Sequence, residues 1–362
     1  MLIVAFIIVI VVAGVSVFMG TAKFGAMAIG EQLDRIKKSP NYRNGKFQNI
    51  TFTPDLKEGV SYLTVMRKFF FGKSERSKPS VALPAIVTDL HTLPDDTLVW
   101  FGHSSYFIRV DGKNFLVDPV LSGHASPVKF TTTGFTGTNV YSVADIPVVD
   151  CLFLSHDHWD HLDYETVLAL KPKVKNIITG LGVSAHLQRW GFDASMIIEK
   201  DWNEEVVLDT GFVVNTVPGR HFSGRGFKRN QSLWLSFVLA TPTMKLFLGG
   251  DSGYDTHFAA IGKKFGPFDL AILECGQYNE YWEYIHMMPE QVVQAAIDLQ
   301  AKRLLPVHWG KFSLSLHSWD EPIIRVTEAS RKQHVPIVTP MIGEAVNLKS
   351  DYTSNNWWQG IE

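Results

Sequence analysis

Residues 156–161 hold three histidines and two aspartates. Imidazole and carboxylate groups are the ligands that bind divalent transition metals in proteins. Alternate residues of an extended segment point the same way, so His156 and His158 can converge on one ion. Asp160 and His161 lie just past them and can reach a second ion beside the first. The spacing therefore predicts a site for two metal ions.

The elements that must position this stretch are predicted strands that run out into polar loops. Residues 151–154 are a short apolar run, which is typical of a buried strand. Similar runs end shortly before His221, Asp251 and His308. Strands and helices alternate along the chain, which indicates a layered α/β body. Each of these polar residues lies in a loop that follows a strand, where α/β proteins commonly carry their function.

Five further motifs extend the pattern. They are Gly102-His103-Ser104-Ser105, Leu116-Val117-Asp118-Pro119, Gly249-Gly250-Asp251-Ser252-Gly253-Tyr254, Phe265-Gly266-Pro267-Phe268-Asp269-Leu270 and Val307-His308-Trp309-Gly310. Together with His-x-His-x-Asp-His they resemble the metallo-β-lactamase superfamily, and within it the N-acylphosphatidylethanolamine phospholipase D branch. The resemblance covers roughly residues 97–345. It implies an α/β fold of the αββα sandwich type that holds two metal ions.

The resemblance also implies a complete set of metal ligands. His156, His158 and His221 would hold the first ion, Asp160, His161 and His308 the second, and Asp251 would bridge the two. Histidine-rich ligation favours two Zn²⁺ ions, and iron or manganese would also suit a site without thiolates. An ion left open toward a pocket is typical of catalytic zinc. The carboxylates Asp160 and Asp251 are therefore expected to be catalytic as well as ligating.

Two further residues are expected to act beside the ions. The resembled branch has a histidine near the reaction centre at the place of His286, which is therefore a candidate proton donor or substrate contact. A loop histidine without a catalytic role is the alternative. Asp118 closes a predicted strand, and it is expected to orient a ligating histidine. A carboxylate that caps the turn is the alternative for this residue.

Four residues are candidates for substrate contact, namely His103, Lys129, Arg225 and Tyr278. His103 follows a glycine on a tight turn, and a loop hydrogen bond would explain it equally well. Lys129 lies in a loop rich in Ser, Thr and Gly that could rim the pocket and pair with a phosphate. Arg225 belongs to a basic cluster near His221, which suits an anionic substrate, although solvated surface charge is the alternative. Tyr278 lies in a loop rich in aromatic residues.

Residues 1–22 are predicted to form a transmembrane or signal-anchor helix. Residues 2–20 carry no charged side chain, and the run is long enough to cross a hydrocarbon core. Lysines and arginines follow the run and none precedes it, which favours a single-pass anchor in the cell membrane with the enzyme on the cytoplasmic side rather than exported. A cleaved signal segment is the alternative.

Three segments are predicted after the anchor. Residues 23–96 are polar and rich in turn residues, which indicates an extended arm along the body. Residues 97–350 form the catalytic domain, and residues 351–362 form a tail. Inside the arm, Arg67–Lys73 mixes basic and aromatic side chains, a composition that suits the headgroup region of a membrane. A phenylalanine cluster docked on the body is the alternative.

The composition narrows the classes of partner. The net charge of −2 gives no indication of nucleic-acid binding. Two cysteines are too few for a disulfide framework, and both begin or end apolar runs, so they are expected to be core thiols. The 24 phenylalanines and 10 tryptophans fit either a large core or a surface that contacts lipid. The sequence leaves the oligomeric state open.

These features predict a dinuclear zinc-dependent hydrolase that cleaves a phosphodiester, with a phospholipid as substrate. A metal-bridging hydroxide would attack phosphorus, and His286 or a water would protonate the leaving alcohol. No Gly-x-Ser-x-Gly motif supplies a serine nucleophile. A metal-dependent lactonase of the ascorbate-phosphate type would share the same ligands. A membrane-anchored, non-catalytic protein with an inert metal site is the third interpretation.

Overall fold

Two β-sheets lie face to face in the body of the protein, whose computed structural model describes residues 2–72 and 74–361. The helices are α1 (Leu2–Met19), α2 (Gly30–Lys37), α3 (Tyr62–Phe71), α4 (Tyr164–Leu170), α5 (Ser184–Arg189), α6 (His257–Phe265), α7 (Pro289–Asp298) and α8 (Glu321–Gln333). The strands are β1 (Tyr42–Arg43), β2 (Lys46–Phe47), β3 (Thr97–Trp100), β4 (Tyr106–Val110), β5 (Lys113–Val117), β6 (Val149–Leu154), β7 (Val174–Gly180), β8 (Ile197–Lys200), β9 (Glu205–Asp209), β10 (Phe212–Val217), β11 (Ser236–Ala240), β12 (Lys245–Leu248), β13 (Leu270–Glu274), β14 (Leu304–Val307) and β15 (Ala345–Asn347).

Each of the two sheets combines an antiparallel and a parallel half. The first has the strand order β15-β3-β4-β5-β6-β7-β8 and is parallel from β5 to β8. The second has the order β14-β13-β12-β11-β10-β9 and is parallel from β12 to β14. Parallel strands are covered on both faces, which explains why β6, β13 and β14 read as continuous apolar runs rather than as alternating ones.

Alternate residues of the central strands pack into two different layers. Phe115 and Phe153 point between the sheets, where they belong to the large core shared with the second sheet. Leu116 and Leu152 point the other way and pack with the side chains of α4 and α5. On the far side, α7 contacts β13, β14 and α8. Helices therefore cover both outer faces, and the predicted αββα sandwich is confirmed.

Local sequence signals fix several element ends. Asp111 and Gly112 adopt φ values of 48° and 75° in the hairpin turn between β4 and β5, as a tight hairpin requires. The Asp163 carboxylate accepts from the backbone N–H of Glu165 and caps α4, as its sequence position predicts. Pro289 begins α7, where its missing N–H removes no hydrogen bond.

The amino-terminal helix α1 is apolar throughout, and the side chains from Ile3 to Phe18 are largely exposed. Nevertheless, within residues 2–72 and 74–361 no helix combines the length and the apolarity that a membrane crossing requires. The transmembrane or signal-anchor helix predicted over residues 1–22 is therefore not supported. Met1 and Glu362, the ends of the first and last predicted segments, lie outside the described residues, as does Lys73 at the end of the phenylalanine-rich stretch.

The segment predicted as an extended arm contains regular structure. Helices α2 and α3 and the β1–β2 hairpin lie within residues 23–96. The hairpin turns through Asn44 and Gly45, with φ values of 54° and 76°. The phenylalanine-rich stretch forms the last turns of α3, which begins with the Ser61 side chain accepting from the N–H of Thr64. The arm therefore contains a helix, α3, where the sequence predicted an extended segment.

The last residues of the chain pack against the core. Trp357 and Trp358 are 9% and 2% exposed. The Trp357 ring stacks on Trp309 with ring centroids 5.3 Å apart, and Trp358 meets the same ring edge-on at 5.8 Å. Trp309 directly follows His308. Residues 351–362, predicted as a tail, therefore pack against the end of β14 and support it.

Candidate metal centre

Six strands end at the same edge of the sandwich, and four of them deliver the candidate metal ligands there. The residues that follow these strand ends are Asp118 after β5, His156 after β6, His221 after β10, Asp251 after β12, Gln277 after β13 and His308 after β14. The stretch Ser155–Leu162, called the histidine loop below, contributes four of the candidate ligands. Separate apolar strands thus position side chains that are far apart in the sequence.

A first group of three imidazoles converges at this edge. The Nε2 atom of His156 lies 2.8 Å from Nδ1 of His158, which lies 3.2 Å from Nε2 of His221. Both contacts meet at Nδ1 of His158. A ring nitrogen of a neutral imidazole either donates one hydrogen bond or accepts one, so hydrogen bonding alone does not account for both contacts. A tetrahedral zinc ion about 2.1 Å from each nitrogen separates its ligands by about 3.4 Å. The spacing fits three nitrogens around one cation.

A second group contains Asp160, His161 and His308, with His103 as a fourth member. Their candidate ligand atoms lie within 4.8 Å of one another, and all four residues are largely or fully buried. His103 Nε2 is 2.8 Å from Asp160 Oδ2. His103 therefore contacts the Asp160 carboxylate. The sequence suggested a substrate contact, but His103 is not among the residues that line the pocket described below. Its close approach to the metal group gave no separate signal in the sequence.

Asp251 lies between the two groups. Its Oδ2 atom is 3.2 Å from Nε2 of His161, 3.7 Å from Nε2 of His221 and 4.0 Å from Nε2 of His156. Its Oδ1 atom is 3.3 Å from Nδ1 of His308. Burial opposes ionisation here, but the His161 and His308 imidazoles outweigh it and hold the pKa of Asp251 well below its ordinary value. A charged carboxylate thus faces histidines of both groups.

Several buried polar atoms of these groups have no hydrogen-bond partner among the described residues. They include Nε2 of His161 and Oδ1 of Asp251. An unpaired buried polar atom costs about 1–3 kcal/mol, so such a cluster calls for a further partner. Imidazole nitrogens and carboxylate oxygens suit divalent transition metals. The residues present therefore fit the expected metal ions, and the chain has a His/Asp cluster able to bind metal.

Neighbouring acceptors select which nitrogen of each histidine faces the centre. Nδ1 of His161 lies 2.8 Å from Asp118 Oδ2, and Nδ1 of His221 donates to the Ile285 carbonyl at 2.8 Å. Both contacts leave Nε2 free to bind a metal. Asp118 also accepts from the backbone N–H of Ser155 at 2.8 Å, so one carboxylate holds both the start of the histidine loop and the ring of His161.

His286 lies at the centre together with a carboxylate that the sequence did not indicate. It forms a third close group with His221 and Asp251. The buried Glu274, at the end of β13, places Oε1 3.5 Å from Nδ1 of His286 and accepts from the N–H of Met287 at 2.8 Å. Burial lowers the pKa of His286, but Glu274 outweighs burial and raises it. Glu274 is the last residue of an apolar run, so the sequence pattern indicated only the end of a strand there.

Three of the four predicted substrate contacts have other partners. Lys129 is 71% exposed and pairs with Glu165 at 2.7 Å. Arg225 is buried and donates to backbone carbonyls, including those of Asp157 and Leu162 at 3.0 and 2.6 Å. The Tyr278 hydroxyl donates to Glu321 at 2.7 Å. None of the three lines the pocket described next. The folded loops direct these three side chains toward protein groups, and their role as substrate contacts stays a prediction.

The candidate ligands open into a pocket of about 450 Å³. Its lining combines the metal groups with aromatic and aliphatic side chains from the arm and from the loops after β6, β10, β13 and β14. They include Leu56, Val65, Phe69, Trp159, Phe222, Trp282 and Leu314, together with Arg229. Phe69 of α3 stacks on Trp282 with ring centroids 6.1 Å apart. Arg229 pairs with Asp55 at 2.9 Å, so the arm closes one side of the pocket.

The chain is similar to known proteins over most of its length. The β-lactamase superfamily domain matches residues 113–309. An uncharacterized protein of Mycobacterium bovis is 37% identical over 333 residues, which cover 89% of this chain and 88% of that protein. The N-acyl-phosphatidylethanolamine-hydrolyzing phospholipase D 1 of Caenorhabditis elegans is 29% identical over 244 residues, which cover 62% of this chain and 67% of that enzyme.

A solved structure supports the fold. Igni18, a metallo hydrolase from the archaeon Ignicoccus hospitalis, has a TM-score of 0.53 to this chain at 17% identity, over 69% of this chain and 97% of Igni18. At this identity the likeness concerns the fold. With the domain match over more than half of the sequence and the His/Asp cluster at its centre, the chain belongs to the metallo-β-lactamase superfamily of metal-dependent hydrolases.

Proposed function

We propose that the protein is a dinuclear zinc phosphodiesterase that cleaves a phospholipid. The observation that carries the proposal is the position of Asp251, whose two carboxylate oxygens face histidines of both groups. A shared carboxylate of this kind suits two ions held side by side, an arrangement used for in-line displacement at phosphorus. The open side of the centre leads into the pocket, as a catalytic site requires.

Each ion would be held by side chains of this chain alone. His156, His158 and His221 would hold the first, Asp160, His161 and His308 the second, and Asp251 would contact both. Bound there, the ions would supply a water activated near neutral pH and would neutralise negative charge on the phosphate. Asp118 and His103 would keep His161 and Asp160 oriented. Zinc is proposed over iron or manganese because imidazole predominates among the ligands.

His286 is proposed as the proton donor to the leaving alcohol. It lines the pocket beside Asp251 without belonging to either group of three ligands. Glu274 raises its pKa despite burial, which favours the protonated ring that a general acid needs. The Glu274 carboxylate also lies against Nδ1, so it is Nε2 that can face the substrate. Glu274 would act through His286, as a positioning residue.

The lipid part of the proposal rests on the apolar lining of the pocket and on two exposed apolar helices. On α3, Val65 and Phe69 line the pocket, whereas Leu63, Met66 and Phe70 point away from it and are 76%, 54% and 74% exposed. Exposed apolar patches of this kind mark interaction sites. We propose that this face of α3, with α1, contacts the surface of a phospholipid bilayer. The C. elegans relative, a phospholipase D by its name, supports the same substrate class.

Zinc-loaded protein is expected to hydrolyse N-acylphosphatidylethanolamine in vesicles and the soluble diester bis(p-nitrophenyl) phosphate, and to leave simple lactones intact. The reason is that two ions stabilise the additional negative charge of a phosphoryl transition state. Release of N-acylethanolamine, of p-nitrophenolate and of the hydroxy acid would be measured on one preparation. Activity is expected to disappear with a chelator and to return with zinc.

The other outcomes distinguish the alternatives. Diester cleavage without lipid cleavage would keep the phosphodiesterase and remove the phospholipid substrate. Lactone opening without diester cleavage would replace the proposal with a lactonase. Two bound zinc ions without turnover of any substrate would indicate a non-catalytic metal-binding protein.

Replacing Phe70 and Phe71 by serine is expected to weaken binding to phosphatidylcholine vesicles by about tenfold or more. Each exposed phenylalanine contributes up to about 1.5–3 kcal/mol when its side chain leaves water, and both rings are at least 74% exposed. Co-sedimentation with vesicles measures the effect. The control is Val207→Ser on β9, which removes another apolar side chain that is 67% exposed. Equal vesicle binding by the double variant and the native protein would contradict the bilayer contact.

A further inference from the structure

Residues 20–26, called the strap below, connect α1 to the body. The strap backbone is held by side chains of α5 and of the loop after β10, namely His186, Arg189, Trp190 and Arg225. Arg189 donates to two strap carbonyls at 2.6 and 2.7 Å, and the Trp190 indole donates to a third at 2.7 Å. Six hydrogen bonds for seven residues make this an ordered connection.

Two of these side chains lead directly to the histidine loop. His186 accepts from the Ala26 N–H at Nδ1, at 3.1 Å, so its proton lies on Nε2, which donates to Asp157 at 3.2 Å. Asp157 stands between His156 and His158. Its other partners are the Gly224 N–H at 2.6 Å and the Ser232 hydroxyl at 2.8 Å. The strap thus fixes the tautomer of the histidine that anchors the loop.

Arg225 forms the second connection. From Nε and Nη2 it donates to the Lys23 carbonyl of the strap at 3.1 and 2.9 Å. From Nη1 it donates to the Asp157 and Leu162 carbonyls of the histidine loop. Its guanidinium lies 3.9 Å from the centroid of Trp159. One buried arginine therefore ties the strap to two points of the loop.

Trp159 provides a third, direct contact. The ring of Phe24 in the strap meets Trp159 edge-on, with centroids 5.1 Å apart. Trp159 stands between His158 and Asp160 and lines the pocket. It contacts both Phe24 of the strap and the guanidinium of Arg225. The indole position, and with it the course of the loop between the two groups of ligands, depends on the strap.

We propose that the strap is a positioning element of the metal centre, which sets the affinity for zinc by holding the histidine loop through His186, Arg225 and Trp159. The proposal rests on the proposed metal site. Ligands bind a metal tightly when the protein holds them in place before the ion arrives, and the residues that orient ligands change metal affinity by about 10- to 100-fold. The strap lies outside the part of the chain that carries the ligands, yet it contacts the residues between them.

Gly25 allows a sharp test. A Cβ added at this glycine would lie 1.9 Å from Nδ1 of His186, so Gly25→Ala must separate the strap from that ring. Gly30→Ala is the matched control, because Gly30 also has a positive φ, 54° against 71°, but a Cβ there would meet no atom within 4 Å. Both variants place a side chain at a positive φ, and only Gly25→Ala displaces the contact with His186.

Zinc affinity of the full chain is measured by competition with a chromogenic chelator, without any substrate. Gly25→Ala is expected to bind zinc about 10- to 100-fold more weakly than the native protein, and Gly30→Ala to differ by less than about threefold. Native affinity in Gly25→Ala would overturn the role of the strap. Because no substrate is involved, a failure of the phospholipid proposal would not change this result.

A second pair of variants tests the same contact independently of any folding defect in Gly25→Ala. His186→Phe keeps an aromatic ring near Trp190 but removes both hydrogen bonds, and His186→Gln can restore a donor to Asp157. Zinc affinity is expected to fall in the phenylalanine variant and to recover in part in the glutamine variant. A merely structural contact would lower the thermal stability of the zinc-free protein in both while leaving zinc affinity unchanged, and that pattern would also overturn the proposal.

Discussion

Asp251→Asn is expected to lower metal-dependent hydrolysis by about 10³-fold or more. The substitution keeps the shape of the side chain but removes the negative charge that faces His161, His221 and His308. Two-metal sites supply several kcal/mol of charge stabilisation, and each 1.4 kcal/mol corresponds to about tenfold in rate. The zinc content of the purified variant, measured together with kcat/KM for a soluble diester, is expected to fall below two ions per chain.

Asp255→Asn is the matched control for this prediction. Asp255 lies four residues further along the same loop, where it faces Arg220 at 3.7 Å rather than the histidines. Its replacement is expected to leave both zinc content and turnover within about twofold of the native values. An Asp251→Asn protein that retains two zinc ions and native turnover would show that this carboxylate does not join the two groups.

His286→Ala is expected to slow cleavage of a lipid diester by about 10²- to 10⁴-fold, the usual contribution of a general acid. The effect on bis(p-nitrophenyl) phosphate is expected to be much smaller, because p-nitrophenolate leaves without protonation whereas an alkyl alcohol does not. The ratio of the two rates, native against variant, is the measurement. It separates proton donation from a simple loss of binding, which would slow both substrates alike.

The matched control for His286 is His317→Ala. His317 is a half-buried loop histidine, whose Nε2 accepts from the Gln277 N–H and whose ring stacks on Tyr278, outside the pocket lining. Its replacement is expected to change both rates by the same small factor. Equal losses on both substrates in His286→Ala would contradict the proton-donor role and leave His286 as a substrate contact.

The fold and the centre of the site could be predicted because the relevant signals are local. The histidine loop carries its ligands at fixed spacings, and the runs before His221, Asp251 and His308 are apolar enough to identify buried strands. Ligands at strand ends then converge as a consequence of the sheet order. The alternation of strands and helices indicated a layered α/β body, and the resemblance to the superfamily implied the αββα sandwich.

What escaped prediction depends on contacts between distant parts of the chain. Glu274 looks like the last residue of a strand, and only the folded loop after β13 places His286 beside it. His103 gave no sign of its contact with Asp160, since 57 residues separate them in the sequence. Arg225 was expected to meet the substrate, but its donors are taken by carbonyls of the strap and of the histidine loop.

The arm, residues 23–96, shows a different limit of prediction from the sequence. Its turn residues predicted an extended course, yet α2 and α3 form within it. The apolar side chains of α3 cover a broad arc of the helix, so periodicity could not say which of them face the body. Val65 and Phe69 face the pocket because Trp282 offers a ring on which Phe69 can stack, a tertiary contact that no local pattern contains.

The tryptophan stack at the end of β14 has a consequence for how the protein can be divided. Trp357 and Trp358 close over Trp309, the neighbour of His308, about fifty residues past the end of the matched superfamily domain at residue 309. Shortening the chain to that domain would expose the Trp309 ring and remove its support. The matched domain is therefore shorter than the structural unit that supports the metal centre. A chimera built from this protein must include Trp357 and Trp358.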